Sequence, residues 1–396
     1  MTQIIEEVQL DYSDVLMKPK RSTLNSRSEA NVYRDYTFKW SNKKITANGL
    51  MVANMATTGT FEMAKVMQYN KMFCCLQKHY TYEQLYDFLT ENNLKAKTFD
   101  DKLCGNDYIF VSTGIKDGDY EKICKVLDLG LCTNLCIDIA NGYIPKLLEF
   151  VKNIRTKYNN LVIMVGNVVT GDMVQDLILA GADIVKEGIG SGANCITRKQ
   201  TAIGRPQFSA NIECADAAHG VGGMICADGG ITCSGDICKA YGSGADFVMV
   251  GGLVAGTDEA DGEVIEKVYK TNEVEVISCN RNDEDLNPID NDYDEYDINE
   301  TEPKYEIKKY KLAYGMSSKF AQDKHWNGMN NYRTSEGIVT LKPYVGSCQK
   351  VLDEYLGGLR SCMTYIGAKR LKDIPKCATF YKVNRILNND GKGIGC

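Results

Sequence analysis

Leu161–Gly188 reads LVIMVGNVVTGDMVQDLILAGADIVKEG. It opens on a continuous apolar run, LVIMV (161–165), passes through a helix-compatible stretch, GDMVQDLILAG, and closes on a second run, ADIVK (182–186). Short strands without a polar face need cover on both sides, and a parallel sheet under helices provides it.

The same rhythm extends in both directions. Further runs are LMVAN (50–54), MFCCL (72–76), YIFVS (108–112), LCIDI (135–139), GMICA (223–227) and DFVMV (246–250). Helix-compatible stretches such as FEMAKVMQY, YEQLYDFLTE and YIPKLLEFVKNIRTKY lie between them. Eight runs fit a closed (β/α)8 barrel, the TIM-barrel architecture, better than an open doubly wound sheet, which is the alternative. One catalytic barrel is therefore expected over residues 1–396, interrupted by an insertion at 271–307 and carrying a mobile flap at 321–343. The insertion is acidic, Asn-rich and poor in aliphatics, which reads as an exposed flexible segment.

Composition bounds the partners. The chain has 396 residues, 44% of them apolar, and a net charge of -6. Residues 281–303 hold much of that negative charge, and the remainder is close to neutral. Neither part has the basic surplus expected of a general nucleic-acid binder. No apolar run has the length of a membrane span. The segment MTQIIEEVQLDYSD lacks the apolar core of a secretory signal, so the cytoplasm is the expected compartment. Sixteen cysteines without C-x-x-C spacing read as reduced, mostly buried small hydrophobes rather than a disulfide framework or a zinc site.

A parallel barrel places its active site at the carboxyl ends of the strands. Lys78, Asp138, Asn167, Cys195, Asp228-Gly229-Gly230 and Gly251-Gly252 all follow apolar runs. Glycine pairs let backbone N–H groups approach an anion, and barrels often bind phosphate after strands seven and eight. A nucleotide or sugar phosphate is the implied ligand, with Asp228 placed to accept hydrogen bonds from ribose hydroxyls. Cys195, in GIGSGANCITR (188–198), follows a glycine-rich turn and has Thr197 nearby. That context suits a nucleophilic thiol.

NVVTG, GIGSGANCITR, CADGGI, FVMVGG and YGMSS, in this order, resemble the inosine monophosphate dehydrogenase and guanosine monophosphate reductase superfamily. The resemblance covers nearly the whole chain outside 271–307. The opening DYSDVLMKPKRSTLNSR, FEMAKVM and Lys78-His79-Tyr80 look like the reductase branch, as does the lack of room for a regulatory insertion between Leu50 and Met72. The flap reads NYRTSEG, reversing the Arg-Tyr order typical of the dehydrogenases.

The resemblance implies reductive deamination of GMP to IMP and ammonia by NADPH, through a thioimidate on Cys195, with Thr197 and Glu336 as a proton relay. It implies GMP contacts at Asp228, Gly229, Gly230, Gly251, Gly252, Gly315, Met316, Ser317, Arg333, Thr334, Ser335, Glu336 and Gly337. Cofactor contacts are implied at Lys78, Asp138, Ile139, Ala140, Met316, Tyr332, Arg333, Ser361, Cys362, Met363 and Thr364. Ser26 and Arg27 look like the pair that reaches a neighbouring subunit's NADPH in a homotetramer. The carbonyls of Gly190, Gly192 and Cys195 resemble a potassium site, although Ser191 stands where the family commonly has proline. The competing functions are NAD-dependent IMP dehydrogenase and a nucleotide-binding regulator without catalysis.

Overall fold

The computed structural model describes residues 2–98, 105–278, 300–326, 328, 331, 332 and 334–383. Eight parallel strands close into a barrel: β1 (Leu50–Val52), β2 (Phe73–Cys75), β3 (Ile109–Thr113), β4 (Asn134–Asp138), β5 (Val162–Val168), β6 (Ile184–Glu187), β7 (Met224–Asp228) and β8 (Phe247–Val250). Closure comes from β8 pairing β1, with Val248 opposite Leu50 and Val250 opposite Val52. Each apolar run of the sequence supplies one of these strands. Among the helices between them are α1 (Phe61–Tyr69), α2 (Tyr82–Thr98), α3 (Asp119–Leu127), α4 (Pro145–Lys157), α5 (Gly171–Leu179), the short α6 (Thr197–Thr201), α7 (Gln207–Gly220) and α8 (Ser234–Gly242).

Strand alternation divides the core in two. Met51, Phe73, Cys75, Phe110, Cys136, Met164, Ile184, Cys226 and Phe247 fill the barrel. Their neighbours Val52, Cys74, Ile109, Val111, Leu135, Ile137, Ile163, Val185, Ile225 and Val248 face the helices. A short antiparallel pair, Arg34–Thr37 with Lys44–Ala47, caps the amino ends of the strands. Tyr36 and Phe38 from this region stack on Phe247, with ring centroids at 4.6 and 6.3 Å.

After β8 the chain forms β9 (Val264–Ser278), β10 (Glu300–Tyr314) and β11 (Val339–Pro343), an antiparallel sheet outside the barrel. The arms of the acidic insertion are part of it: Val274 pairs Pro303 and Ser278 pairs Glu300. These arms of the segment expected to be exposed and flexible are thus paired as strands. Their sequence explains why, since Val274 and Val276 alternate with Glu273 and Glu275 in the period-two pattern of a strand. Residues 279–299, the acidic centre, lie outside the described residues. The flap expected at 321–343 begins in α9 (Lys319–Trp326) and ends in β11.

The final long helix, α10 (Cys348–Ile366), is capped at both ends. The Ser347 hydroxyl accepts the Gln349 N–H at 3.2 Å, and Gly367 takes the left-handed conformation at φ 75°. Leu352, Leu356, Leu359, Met363 and Ile366 form its buried stripe. No helix among the described residues is long and apolar enough to cross a membrane.

Candidate active site

The inward-facing pattern changes character at the carboxyl ends of the strands. Beyond the apolar layers stand Ser112, Asp138, Lys186 and Asp228, and they line a cleft of about 760 Å³. Lys186 lies in the middle, with 4% of its side chain exposed. Its ammonium donates to Asp138 Oδ1 at 2.5 Å and to Asp228 Oδ2 at 3.0 Å. Lys78 approaches Asp138 from the rim at 4.0 Å. Asn167 Nδ2 donates to Asp228 Oδ2 at 2.9 Å and to the Gly188 carbonyl at 2.7 Å.

Charge states follow from this packing. Burial opposes the ionisation of Asp138, but Lys186 and then Lys78 overcome it and pull its pKa down to about 2. Burial likewise opposes the charge on Lys186, and its two carboxylate partners hold that pKa well above the usual lysine range. The cleft therefore has a fixed cation with a carboxylate on either side.

The catalytic-loop candidates meet the flap. Cys195 and Gly337 form an isolated antiparallel bridge, in which Ile196 N–H donates to the Glu336 carbonyl at 2.8 Å and Ile338 N–H donates to that of Asn194 at 3.0 Å. Thr340 Oγ1 donates to Asn194 Oδ1 at 2.9 Å beside them. This clamp aligns three side chains. The Cys195 thiol donates to Thr197 Oγ1 at 3.1 Å, and the Thr197 hydroxyl donates to Glu336 Oε2 at 2.8 Å. Residues 139 positions apart thus form one continuous hydrogen-bonded chain from sulfur to carboxylate. It can carry a proton away from the thiol or back to it. Most described cysteines are buried, whereas Cys195 reaches the cleft.

Gly229 and Gly230 cross the floor with φ of 102° and 75°, the left-handed region where a side chain is strained. A Cβ on Gly229 would lie 2.4 Å from Ser191 Oγ, so the loops after β6 and β7 can touch only because this residue has none. Ser191 Oγ donates to the Asp228 carbonyl at 3.1 Å across the same contact.

Of the positions singled out from the sequence, Lys78, Asp138, Ile139, Ala140, Gly190, Gly192, Cys195, Thr197, Asp228, Gly229 and Gly230 line the one cleft. Gly251, Gly252, Gly315, Met316, Ser317, Glu336 and Gly337 complete it. Ser335 lies on the flap and donates to the Gly337 carbonyl at 2.9 Å. Tyr332 is exposed, Thr334 is also on the flap, and Arg333 lies outside the described residues. Gly192 O accepts the Cys195 N–H at 2.9 Å, which closes the turn bearing the three carbonyls expected to hold a cation.

Ser26 and Arg27 do not reach this cleft. They form a short turn that packs against α10, the helix of Ser361–Thr364. Met363, in the same segment, has its side chain fully buried in the core. The helical stripe that includes Leu359 and Ile366 fixes that orientation.

Sequence reasoning gave no site role to Lys186, His79, Lys116, Lys122 and Trp326, all of which line the cleft. Lys186 had a visible signal, a charge inside an apolar strand run. His79 stacks on His325 at 4.2 Å and meets Trp326 edge-on at 4.7 Å, a contact between distant segments that no local pattern announces.

A parallel barrel with a thiol, a hydroxyl and a carboxylate in series at the strand ends defines an α/β-barrel enzyme fold with a nucleophile site. The IMP dehydrogenase / GMP reductase domain model matches residues 9–276 and 298–391, and the chain belongs to that family. It is 44% identical over 388 residues to the GMP reductase of Vibrio atlanticus (strain LGP32), covering 98% of both chains. The GMP reductases of Vibrio parahaemolyticus and Aliivibrio salmonicida are 43% and 42% identical over 388 residues, again covering 98% of both chains. The family match is interrupted only at 277–297, inside the acidic insertion.

Proposed function

We propose that this protein is a GMP reductase, converting GMP to IMP and ammonia with NADPH in purine nucleotide interconversion and salvage. The Cys195–Thr197–Glu336 chain carries this reading, with hydrogen bonds of 3.1 and 2.8 Å beside the glycine loops of the cleft. The names of the similar Vibrio proteins support the same substrate.

The GMP phosphate lies on the glycine loops at Gly229–Gly230 and Gly251–Gly252, and Asp228 accepts hydrogen bonds from the ribose. Gly315–Ser317 and the flap from Thr334 to Gly337 enclose the base. The Cys195 sulfur forms a bond to purine carbon 2 and the carbon–nitrogen bond to the amino group breaks. The thiol proton passes through Thr197 to Glu336 and on to the departing nitrogen, and a second proton from solvent completes ammonium. Protonation matters because an amide-like nitrogen leaves poorly as an anion. A neutral thioimidate remains on the enzyme.

When bound, NADPH supplies the hydride that carbon 2 then takes up. As the carbon–sulfur bond breaks, the thiolate leaves and IMP is released. Lys78, Asp138, Ile139 and Ala140 line the same cleft and would hold the cofactor, with Met316 serving both ligands. Ser361, Cys362 and Thr364 would contact the cofactor, and Ser26 and Arg27 would reach the NADPH of a neighbouring subunit in a homotetramer. Arg27 suits the extra phosphate of NADPH. A potassium ion on the Gly190, Gly192 and Cys195 carbonyls would stiffen the catalytic turn, and activity with and without potassium tests it.

The experiment is direct. NADPH oxidation on addition of GMP, with ammonia released one for one and a purine adduct on Cys195 by mass spectrometry, is the expected result. NAD reduction with IMP and no reaction with GMP would make the protein a dehydrogenase instead. Nucleotide binding without either turnover would make it a regulator.

A further inference from the structure

Glu187 is the last residue of β6 and directly precedes the catalytic loop. Strand alternation turns it away from the cleft that Lys186 enters, toward the amino end of α7. There it is wholly buried, at 0% exposure. Gln207 Nε2 donates to its Oε2 at 2.7 Å, while Oε1 has no partner among the described residues. Two more buried oxygens lack partners in this region, Tyr12 Oη and Gln207 Oε1.

These side chains lie under the substrate loop. A Cβ on Gly230 would meet the Tyr12 ring at 3.3 Å and Gln207 Cβ at 3.6 Å, so Tyr12 and Gln207 are the surface on which that loop rests. Asp11 Oδ1 accepts the Gln207 N–H at 2.6 Å and fixes the start of α7. Glu187 completes this floor by gripping the Gln207 amide.

Around the carboxyl stand Asp228 and Cys226 of β7, Cys214 of α7, Arg205 before it, and Tyr12. Arg205 is the one cation in this set, and its guanidinium is engaged by Glu213 at 2.6 Å. An ionised Glu187 would thus be a buried charge without a counter-ion of its own, an arrangement proteins avoid. A proton on Oε1 removes the charge and turns that atom into a donor. Burial first, and the Asp228 charge second, push this carboxyl well above the usual range.

We propose that Glu187 is a positioning residue that works as a neutral carboxylic acid, bracing Gln207 beneath the Gly229–Gly230 loop. The role, though not the protonation state, rests on the reading of that loop as the GMP phosphate site.

Two measurements on the full chain test the two parts. A buried acid that keeps its proton when folded loses it on unfolding near neutral pH. The folded state then binds more protons than the unfolded one, so stability falls as pH rises above the ordinary carboxyl value. Uncharged Glu187→Gln escapes that fall. Its melting temperature should gain on the wild type by about 2 °C per pH unit between about pH 6 and 8.5. A constant gap, or one that widens in favour of the wild type, would overturn the neutral acid. Should the Gln variant fail to fold, Glu187→Met gives the same slope, because the slope belongs to the wild type.

In steady-state kinetics Glu187→Gln should keep both kcat and the KM for GMP within about threefold, whereas Glu187→Met should raise KM about tenfold with kcat little changed. Equal KM values for the two variants would overturn the positioning role. A wild-type protein inactive on GMP would instead sink the functional reading and leave the stability slope to decide the protonation state.

Discussion

The two ends of the barrel are built from the same strands by the same alternation, yet they are chemically opposite. At the amino ends the inward residues are Phe73, Phe247 and Met51, sealed by Tyr36 and Phe38. At the carboxyl ends, the next inward positions are Lys186, Asp138 and Asp228, open to a cleft. The closed end needs volume and shape, and any well-packed apolar set would satisfy it. The open end needs particular atoms at particular distances, and each charge there is bearable only because its partner is present. Stability and reactivity are therefore separable along one axis, and substitutions at the two ends should have different signatures.

The sharpest division comes from Cys195→Ala. The change removes the sulfur but little buried area, so melting should be unaffected while turnover of GMP falls by about 10³-fold or more. Measured kcat and a thermal melt on one preparation decide it, and residual turnover near wild type would break the assignment of the nucleophile. Phe247→Ala is the mirror experiment. Truncating a fully buried ring should cost about 3–5 kcal/mol in denaturant unfolding. The folded fraction should still bind GMP with wild-type KM, since Phe247 is not among the residues that line the cleft.

Lys186→Met crosses the division and so tests it hardest. It leaves Asp138 and Asp228 facing each other without the cation between them. Stability should fall by about 3 kcal/mol, and KM for GMP should rise in the same variant because Asp228 loses the partner that holds it. A loss of stability without any change in KM would make Lys186 part of the scaffold alone. The partner carboxylate supplies the pH signature. Asp138 has its pKa lowered to about 2, so its contribution is complete above the ordinary carboxyl value and disappears as pH falls toward 2. The wild type and Asp138→Asn should therefore converge in stability in acid.

How much of this was legible in the sequence follows the same division. The eight apolar runs announced all eight strands because burial on both faces leaves a local, continuous signal. Cys195, Thr197 and the glycine pairs were legible because turn chemistry and residue type coincide at strand ends. Glu336 came only through family resemblance. What joins it to Thr197 is a backbone bridge between segments on opposite sides of the insertion, and periodicity has no access to that. The paired arms at 271–278 and 300–307 were hidden for another reason, since acidic composition masked the alternation of Val274 and Val276. Met363 came with a segment carried over whole, whereas helical geometry turns its side chain into the core.

The smallest effect is expected at the rim of the open end, where an aromatic cluster resembles the closed one. His79 and His325 stack at 4.2 Å with 13° between their planes, and Trp326 closes the edge of His79. Two imidazolium ions would not share that stack. Burial, then His325 and then the lysines 78, 122 and 116 lower the pKa of His79 to about 4. Between pH 4 and the ordinary histidine value the unfolded chain then binds a proton that the folded chain does not, so stability rises with pH across that window. His79→Gln keeps a neutral polar ring-sized group and removes the titration. Its melting temperature relative to wild type should improve by a degree or so as pH is lowered from about 6.5 to 5, the small size reflecting a half-exposed ring in a screened setting. An unchanged difference across that range would mean that His79 titrates as it does in an open loop. The stack would then be too loose to exclude water, and the comparison with the closed end would fail at this rim.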